Sequence, residues 1–255
     1  MMRLLSHMAL CLVFSGLLAT EASSQRLDRC YETALLLGDS NVYGALGHAL
    51  QRDLQENGTL VFREGRPGSG LARPDYFDWP TESRLLVETI DPDVVIIMLG
   101  GNDIQRIRDS KGEFGSGIPW EDPARWDKEY TRRLEELVAA LIVPGIVDAQ
   151  GPRRVYVLSP TNRRPTRNKE RVSRVVELQR ASLAERLGVT WVDAFSLTSA
   201  SSGRFLGSGL DAHGQHASFR KPDGIHLTRA GAEDLATRLR PILFAGCPKS
   251  VSMGR

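Results

Sequence analysis

The chain reads as an α/β protein, a three-layer sandwich around a central, mostly parallel five-stranded sheet. Three observations carry this. Five short apolar runs, β-branched or leucine-rich and without alternation, have the composition of strands covered on both faces. Segments of helical period fill the gaps, so strand and helix alternate along the sequence, the pattern of a parallel sheet with a helix on each crossover. About 230 residues remain beyond an N-terminal targeting segment, and one α/β core can fill that length.

The expected strands are Ala34–Leu37, Leu60–Phe62, Val94–Leu99, Val155–Leu158 and Val189–Val192. The expected helices are Val42–Glu56, Glu82–Ile90, Trp126–Ile142, Asn168–Leu187 and Thr228–Leu239. Two long connections, Gln105–Arg125 and Phe195–Asp223, are rich in Gly, Pro, Ser or Asp, and loops of that length in a compact domain are often functional. In such sheets ligands bind at the carboxyl ends of the strands.

The first 24 residues have the form of a secretory signal peptide. Arg3 and His7 precede an apolar run, Met8–Ala19, and Ala22, Ser23 and Ser24 follow it. That run of about 12 residues is too short for a stable span, which needs roughly 20. Residues 25–255 are therefore read as one exported domain, secreted or periplasmic, with no stable membrane span. The 33 basic and 31 acidic side chains nearly cancel, so charge points neither to nucleic acid nor to an anionic membrane surface. Arginines crowd the stretch Arg153–Arg174, either as a solvated face or as a site for an acidic polymer. Of three cysteines, Cys11 lies inside the signal run, leaving Cys30 and Cys247. An even pair in an oxidising compartment is expected to bond. The start of the first strand and the end of the last helix both belong at the bottom edge of the sheet, where the two sulfurs could meet.

The chemistry gathers at the opposite edge. In "ALLLGDSNVYGAL" the first strand runs into Gly-Asp-Ser, which puts the Ser40 hydroxyl at the rim; taken alone, the serine could be a helix cap. The third strand ends in "IIMLGGNDI", bringing Asn102 to the same rim, either as a turn former or as a donor toward developing negative charge. "KPDGIHLTRAG" supplies Asp223 and His226 just before the last helix, with Gly224 permitting the turn an orienting carboxylate needs. A nucleophile, an amide donor and an acid-base pair gathered on one rim are hard to read as three unrelated turn residues. "DAHGQH" brings Asp211, His213 and His216 close in sequence, but no HExxH and no close cysteine pair accompanies them, so a polar loop is expected and neither metal nor cofactor.

The segments "GDSNVYG", "PGSGLA", "LGGND" and "DGIH" stand in the order of the four sequence blocks of the SGNH (GDSL-type) hydrolases, and the chain resembles that superfamily from Ala34 to Leu239. "GLARPDYFDWP", with "PDVVIIMLGGND" and "DGIHLT", is similar to a secreted bacterial branch associated with cell-envelope and exopolysaccharide biology. The resemblance implies a flavodoxin-like sandwich with Ser40 as nucleophile, His226 as general base and then acid, and Asp223 holding the ring. It implies an oxyanion hole made of the Ser40 and Gly70 backbone N–H groups and the Asn102 amide, with Gly68 competing for the second place. Asp39 and Asp103 are expected to be bracing groups. Tyr76, Phe77, Trp79, Trp120 and Trp126 could stack on sugar rings or pack their own loops.

The resulting expectation is a secreted serine esterase that removes small acyl groups, acetyl foremost, from an envelope or extracellular carbohydrate. Its partners would be that acylated carbohydrate or another small ester, together with envelope polysaccharide machinery. The rival within the same chemistry is an O-acyltransferase that passes the acyl group to a sugar hydroxyl. A rival of another class is a carbohydrate-binding protein without turnover.

Overall fold

In the computed structural model, which describes residues 30–111, 117–142, 153–164 and 167–247, the centre of the molecule is a sheet of five parallel strands. They are β1 (Thr33–Gly38), β2 (Leu60–Gly65), β3 (Val94–Met98), β4 (Arg154–Leu158) and β5 (Thr190–Val192), ordered β2-β1-β3-β4-β5. The expected signal segment, residues 1–24, lies outside the described residues.

Leucines 35, 36 and 37 show why the strand sequences do not alternate. Leu36 packs with Ile96 and Tyr156 on one face, against α2 (Ala45–Glu56) and α7 (Arg229–Leu243). Leu35 and Leu37 join Val95 and Ile97 on the other, against α3 (Trp79–Ile90), α4 (Pro123–Leu141) and α5 (Arg167–Leu183). Each of these three leucines is about 99% buried, as a strand covered on both faces must be.

The order β2-β1-β3 reverses direction after β1. The chain therefore leaves β1 toward one side and β3 toward the other, opening a crevice between their carboxyl ends. Ser40 and Asn102 lie just past those two ends.

Several boundaries differ from the sequence expectation. The helix expected over Val42–Glu56 is two helices, α1 (Ser40–Tyr43) and α2, broken where Gly44 leaves helical geometry at φ −93°, ψ −142°. Arg63 Nη1 donates to Val42 O and Tyr43 O, both at 2.9 Å, satisfying carbonyls that the break exposes. α3 begins at Trp79 rather than Glu82, because Pro80 is compatible with a first helical turn. α5 ends at Leu183 rather than Leu187. The stretch Phe195–Asp223 is not wholly irregular: α6 (Ala194–Leu197) and an antiparallel hairpin of β6 (Ser208–Leu210) and β7 (His216–Ser218) form within or beside it.

Cys30 and Cys247 are disulfide-bonded, 217 positions apart in sequence and with 4.9 Å between their Cα atoms. The bond ties the entry to β1 to the residues after α7, next to Tyr31, whose hydroxyl donates to Leu243 O. Replacing both cysteines by serine is expected to cost about 2–4 kcal/mol, chiefly by releasing a long loop in the unfolded chain. The checking measurement is thermal melting of the oxidised protein and of the Cys30→Ser/Cys247→Ser variant, where equal melting points would contradict it. Among the described residues no helix is long and apolar enough to cross a membrane.

Candidate active site

Ser40 is the first residue of α1. Asp39 caps that helix, its Oδ1 accepting from Asn41 N at 2.9 Å and from Asn41 Nδ2 at 3.2 Å. A backbone N–H at the start of a helix has no intrahelical acceptor, so the Ser40 N–H is available to a ligand beside its own hydroxyl. Asp39 is 2% exposed. Its burial pushes the carboxyl up, while the Asn41 donors and the charges of Arg163 and His226 oppose this. It is a bracing group, turned toward the cap rather than toward the serine oxygen.

His226 and Asp223 reach Ser40 from the loop before α7. His226 Nε2 lies 2.9 Å from Ser40 Oγ, and His226 Nδ1 lies 2.7 Å from Asp223 Oδ2. A carboxylate only accepts, so the Nδ1 proton belongs on the bond to Asp223, leaving Nε2 as acceptor for the serine hydroxyl. The other oxygen, Asp223 Oδ1, accepts from Ile225 N at 2.8 Å and His226 N at 3.0 Å. Partial burial pushes this carboxyl up, but the His226 ring and the two amides together pull it down to about 2. Gly224 takes φ +68°, the left-handed conformation that lets an acid and a histidine three residues apart face each other.

Two arginines that the sequence gives no reason to single out brace the loops of the site, Arg220 this one and Arg163 the loop after β3. Arg220 is 4% exposed; its Nη1 donates to Thr161 Oγ1 and to Ile225 O, both at 3.2 Å. Burial and the nearby Arg163 charge lower the Arg220 guanidinium to about 10, against the pull of Asp223. Arg163 Nη2 donates to Gly101 O at 3.0 Å, next to Asn102. The backbone of the β4 loop adds Arg164 N, which donates to Gly224 O at 2.9 Å. The crowd of arginines is thus neither one solvated face nor one binding surface. Arg153 pairs with Asp91, Arg174 with Asp127, and Arg171 and Arg174 both lie over the Trp120 ring.

On the other side of the crevice, Asn102 Nδ2 donates to Ser69 O at 3.0 Å. That carbonyl belongs to the peptide group that carries the Gly70 N–H. Gly68 sits in an open turn at φ +79° with nothing within 4 Å of an added Cβ, whereas a Cβ on Gly70 would lie 2.2 Å from Asp103 Oδ1. Gly68 needs its glycine for its left-handed backbone and Gly70 for its close approach to Asp103, but only Gly70 has its peptide tethered to Asn102. Ser69 Oγ accepts from Trp79 Nε1 at 3.0 Å and donates to Arg66 O at 2.6 Å, so Trp79 anchors this loop from within the core.

Asp103, fully buried, accepts from Ala72 N at 2.7 Å, which locks the Gly70 loop to the β3 loop, and its charge is also eased by the Leu71 amide. Burial pushes its carboxyl up to about 7; the two amides and Arg133 pull down and Asp39 pushes up. An acid whose folded value lies above its unfolded one stabilises the fold fully below the unfolded value and loses that contribution as pH rises through the folded value. Asp103 therefore makes the fold less stable as pH climbs from about 4 to about 7, by roughly 4 kcal/mol for a shift of this size. Asp103→Asn, which mimics the protonated acid, is expected to flatten that part of the profile. Urea unfolding of both proteins between pH 4 and pH 8 measures it, and parallel profiles would refute it.

The aromatic residues divide. Trp79 and Trp126 are about 99–100% buried, with Trp126 stacked on Tyr130, Trp120 edge-on to Trp126, and Phe77 edge-on to Trp79 beneath Arg66. Tyr76 alone of the five loop aromatics is more than half exposed. Asp211 Oδ1 accepts from His213 N and Gln215 N, both at 2.9 Å, closing the β6–β7 turn. Among the described residues no group of three or more His, Cys, Asp or Glu is placed to hold a metal ion.

A family described as "Protein of unknown function (DUF459)" matches residues 33–241 of the chain. Similar solved structures include an alpha/beta hydrolase enzyme from the metagenome of Lake Arreo, Spain, at 22% identity over 82% of this chain and 94% of that one, with a TM-score of 0.53. A gut microbial diltiazem-metabolizing enzyme is 17% identical over 84% of this chain, which spans 47% of that one, with a TM-score of 0.51. An acetylxylan esterase from Geobacillus stearothermophilus is 18% identical over 85% of this chain and 95% of that one, with a TM-score of 0.49. The first two are likenesses of fold. No curated protein sequence matches the chain.

Proposed function

Because the chain belongs to the DUF459 family and is an SGNH-type hydrolase, we propose that it is a secreted or periplasmic serine esterase releasing small acyl groups, acetyl foremost, from an extracellular or envelope carbohydrate. The observation that carries the reading is the continuous line of hydrogen bonds from Ser40 Oγ through both nitrogens of His226 to Asp223, at 2.9 and 2.7 Å. The disulfide supports an oxidising compartment.

In this reading Ser40 Oγ attacks the ester carbonyl carbon as His226 Nε2 takes its proton. The carbonyl electron pair moves onto oxygen, where the Ser40 and Gly70 N–H groups and the second Asn102 Nδ2 proton meet it; the first is engaged by Ser69 O. When the tetrahedral centre collapses, the bond to the sugar oxygen breaks and that oxygen takes the proton from His226. Water, deprotonated by the same nitrogen, then attacks the acyl-Ser40 ester; the second tetrahedral centre collapses with cleavage of the bond to Ser40 Oγ, which takes the proton back from His226 as the carboxylic acid leaves. Asp223 stabilises the imidazolium through both passages without being protonated itself.

The test is acetate release from a panel of acetylated polysaccharides, with and without an unacetylated sugar acceptor, on the Ser40 protein and its alanine variant. Ser40-dependent acetate release supports the esterase. Acetyl appearing on the acceptor in place of free acetate would make the protein a transferase. No Ser40-dependent release from polysaccharide or aryl ester would refute both.

A further inference from the structure

Among the described residues three of the five tyrosines are core residues: Tyr31, Tyr130 and Tyr156 are 0–5% exposed. The other two, Tyr43 and Tyr76, are 61% and 54% exposed and are the only aromatic side chains more than half exposed among the described residues. Both border the same short stretch of chain beside the nucleophile. Tyr43 lies three residues after Ser40 on α1, and positions i and i+3 share a helix face. Its backbone rests on Gly65, where an added Cβ would come within 2.6 Å of Tyr43 Cα. Tyr76 Oη donates to Pro67 O at 3.2 Å, and Pro67 is itself exposed.

That stretch is rigidly held. Arg66 N donates to Gly38 O at 2.8 Å, Ser69 N and Oγ both donate to Arg66 O, and Ser69 O receives Asn102. An ordered loop carrying Pro67, tied to the end of the strand that leads to Ser40, is therefore flanked by two exposed tyrosines, Tyr43 on α1 and Tyr76 hydrogen-bonded to the loop itself.

We propose that Tyr43, Pro67 and Tyr76 form a stacking shelf for pyranose rings of the substrate's carbohydrate, a proposal that rests on the esterase reading above. Each tyrosine offers an apolar ring face with a polar edge. The shelf is also bordered by charge, since Arg66 and Glu64 pair at 2.8 Å beside it. A pyranose has the matching shape, a C–H face flanked by hydroxyls. An acyl chain would instead want an enclosed apolar groove.

The shelf is tested by binding, which needs no turnover. In a Ser40→Ala background, affinity for β-linked hexasaccharides of xylose, glucose and mannose is measured by calorimetry. Adding Tyr43→Ala and Tyr76→Ala is expected to weaken the best of them about tenfold or more, and Tyr43→Phe with Tyr76→Phe to retain most of the affinity. With Ser40 intact, the alanine pair should lower kcat/KM for the acetylated form of that saccharide about tenfold more than for an aryl acetate, mainly through KM. Undiminished binding in the alanine pair would overturn the shelf. So would equal losses on both esters, loss of binding in the phenylalanine pair, absence of saturable binding to any hexasaccharide, or preferential binding of methyl ferulate. None of these outcomes touches Ser40-dependent ester hydrolysis, and failure of that hydrolysis would leave the binding result readable.

Discussion

Ser40→Ala is expected to lower hydrolysis of a small aryl acetate by about four to six orders of magnitude, the range seen when a triad nucleophile is removed. The fold should not change. Alanine is well suited to a helix, and among the described residues the only side-chain partner of Ser40 Oγ is His226 Nε2. The His226 side chain is 37% exposed, so water can replace the lost partner. Circular dichroism and melting temperature should therefore match the parent while turnover disappears. A serine-directed fluorophosphonate should add one label to the parent, on the peptide containing Ser40, and none to the variant. Activity above about a tenth of the parent value would mean that another group is the nucleophile.

The rim was legible because its residues stand where apolar runs stop. Ser40 and Asn102 each follow a strand written in consecutive leucines, isoleucines or valines, so their place at the carboxyl edge follows from the strand itself. Asp223 and His226 were legible because the glycine between them marks the turn they need. The disulfide was legible because an even pair of cysteines is left for an oxidising compartment, and topology lets them meet, since entry to β1 and exit from α7 share the bottom edge.

What stayed hidden depends on partners distant in sequence. Gly68 and Gly70 look alike until Asp103, 31 residues beyond Ala72, is seen against only one of them. Arg163 reads only as one of a crowd, on a solvated face or in a site for an acidic polymer, and nothing in the sequence singles out Arg220, yet each is buried against a carbonyl of a site loop. Tyr43 reads as one helical residue among several; only the break at Gly44 and the close contact with Gly65 turn it to the rim. The β6–β7 hairpin has strands of only three residues each, shorter than periodicity can register.

Asn102→Ala is expected to lower kcat about a hundredfold or more and to change KM much less. Asn102 Nδ2 has two protons, and only one is engaged by Ser69 O. If the second meets the oxyanion, its bond is strongest when charge has developed, so its loss falls on the transition state rather than on the bound ester. Removing one such donor costs about 3 kcal/mol or somewhat more. The substitution also frees the Ser69 carbonyl, which loosens the peptide carrying the Gly70 N–H. Both losses act on the same oxygen, and the combined effect should exceed that of the single donor. The competing account makes Asn102 only a turn residue after β3, with the Ser69 bond as its whole purpose. That account predicts a lower melting temperature and normal turnover in whatever remains folded. The two separate cleanly when kcat is expressed per active site, titrated with a fluorophosphonate, and measured beside the melting temperature. A near-parent kcat with a depressed melting point would remove Asn102 from the chemistry and leave it as a brace. A kcat lowered a hundredfold in protein that melts near the parent temperature and still titrates fully at Ser40 would put its amide at the oxyanion.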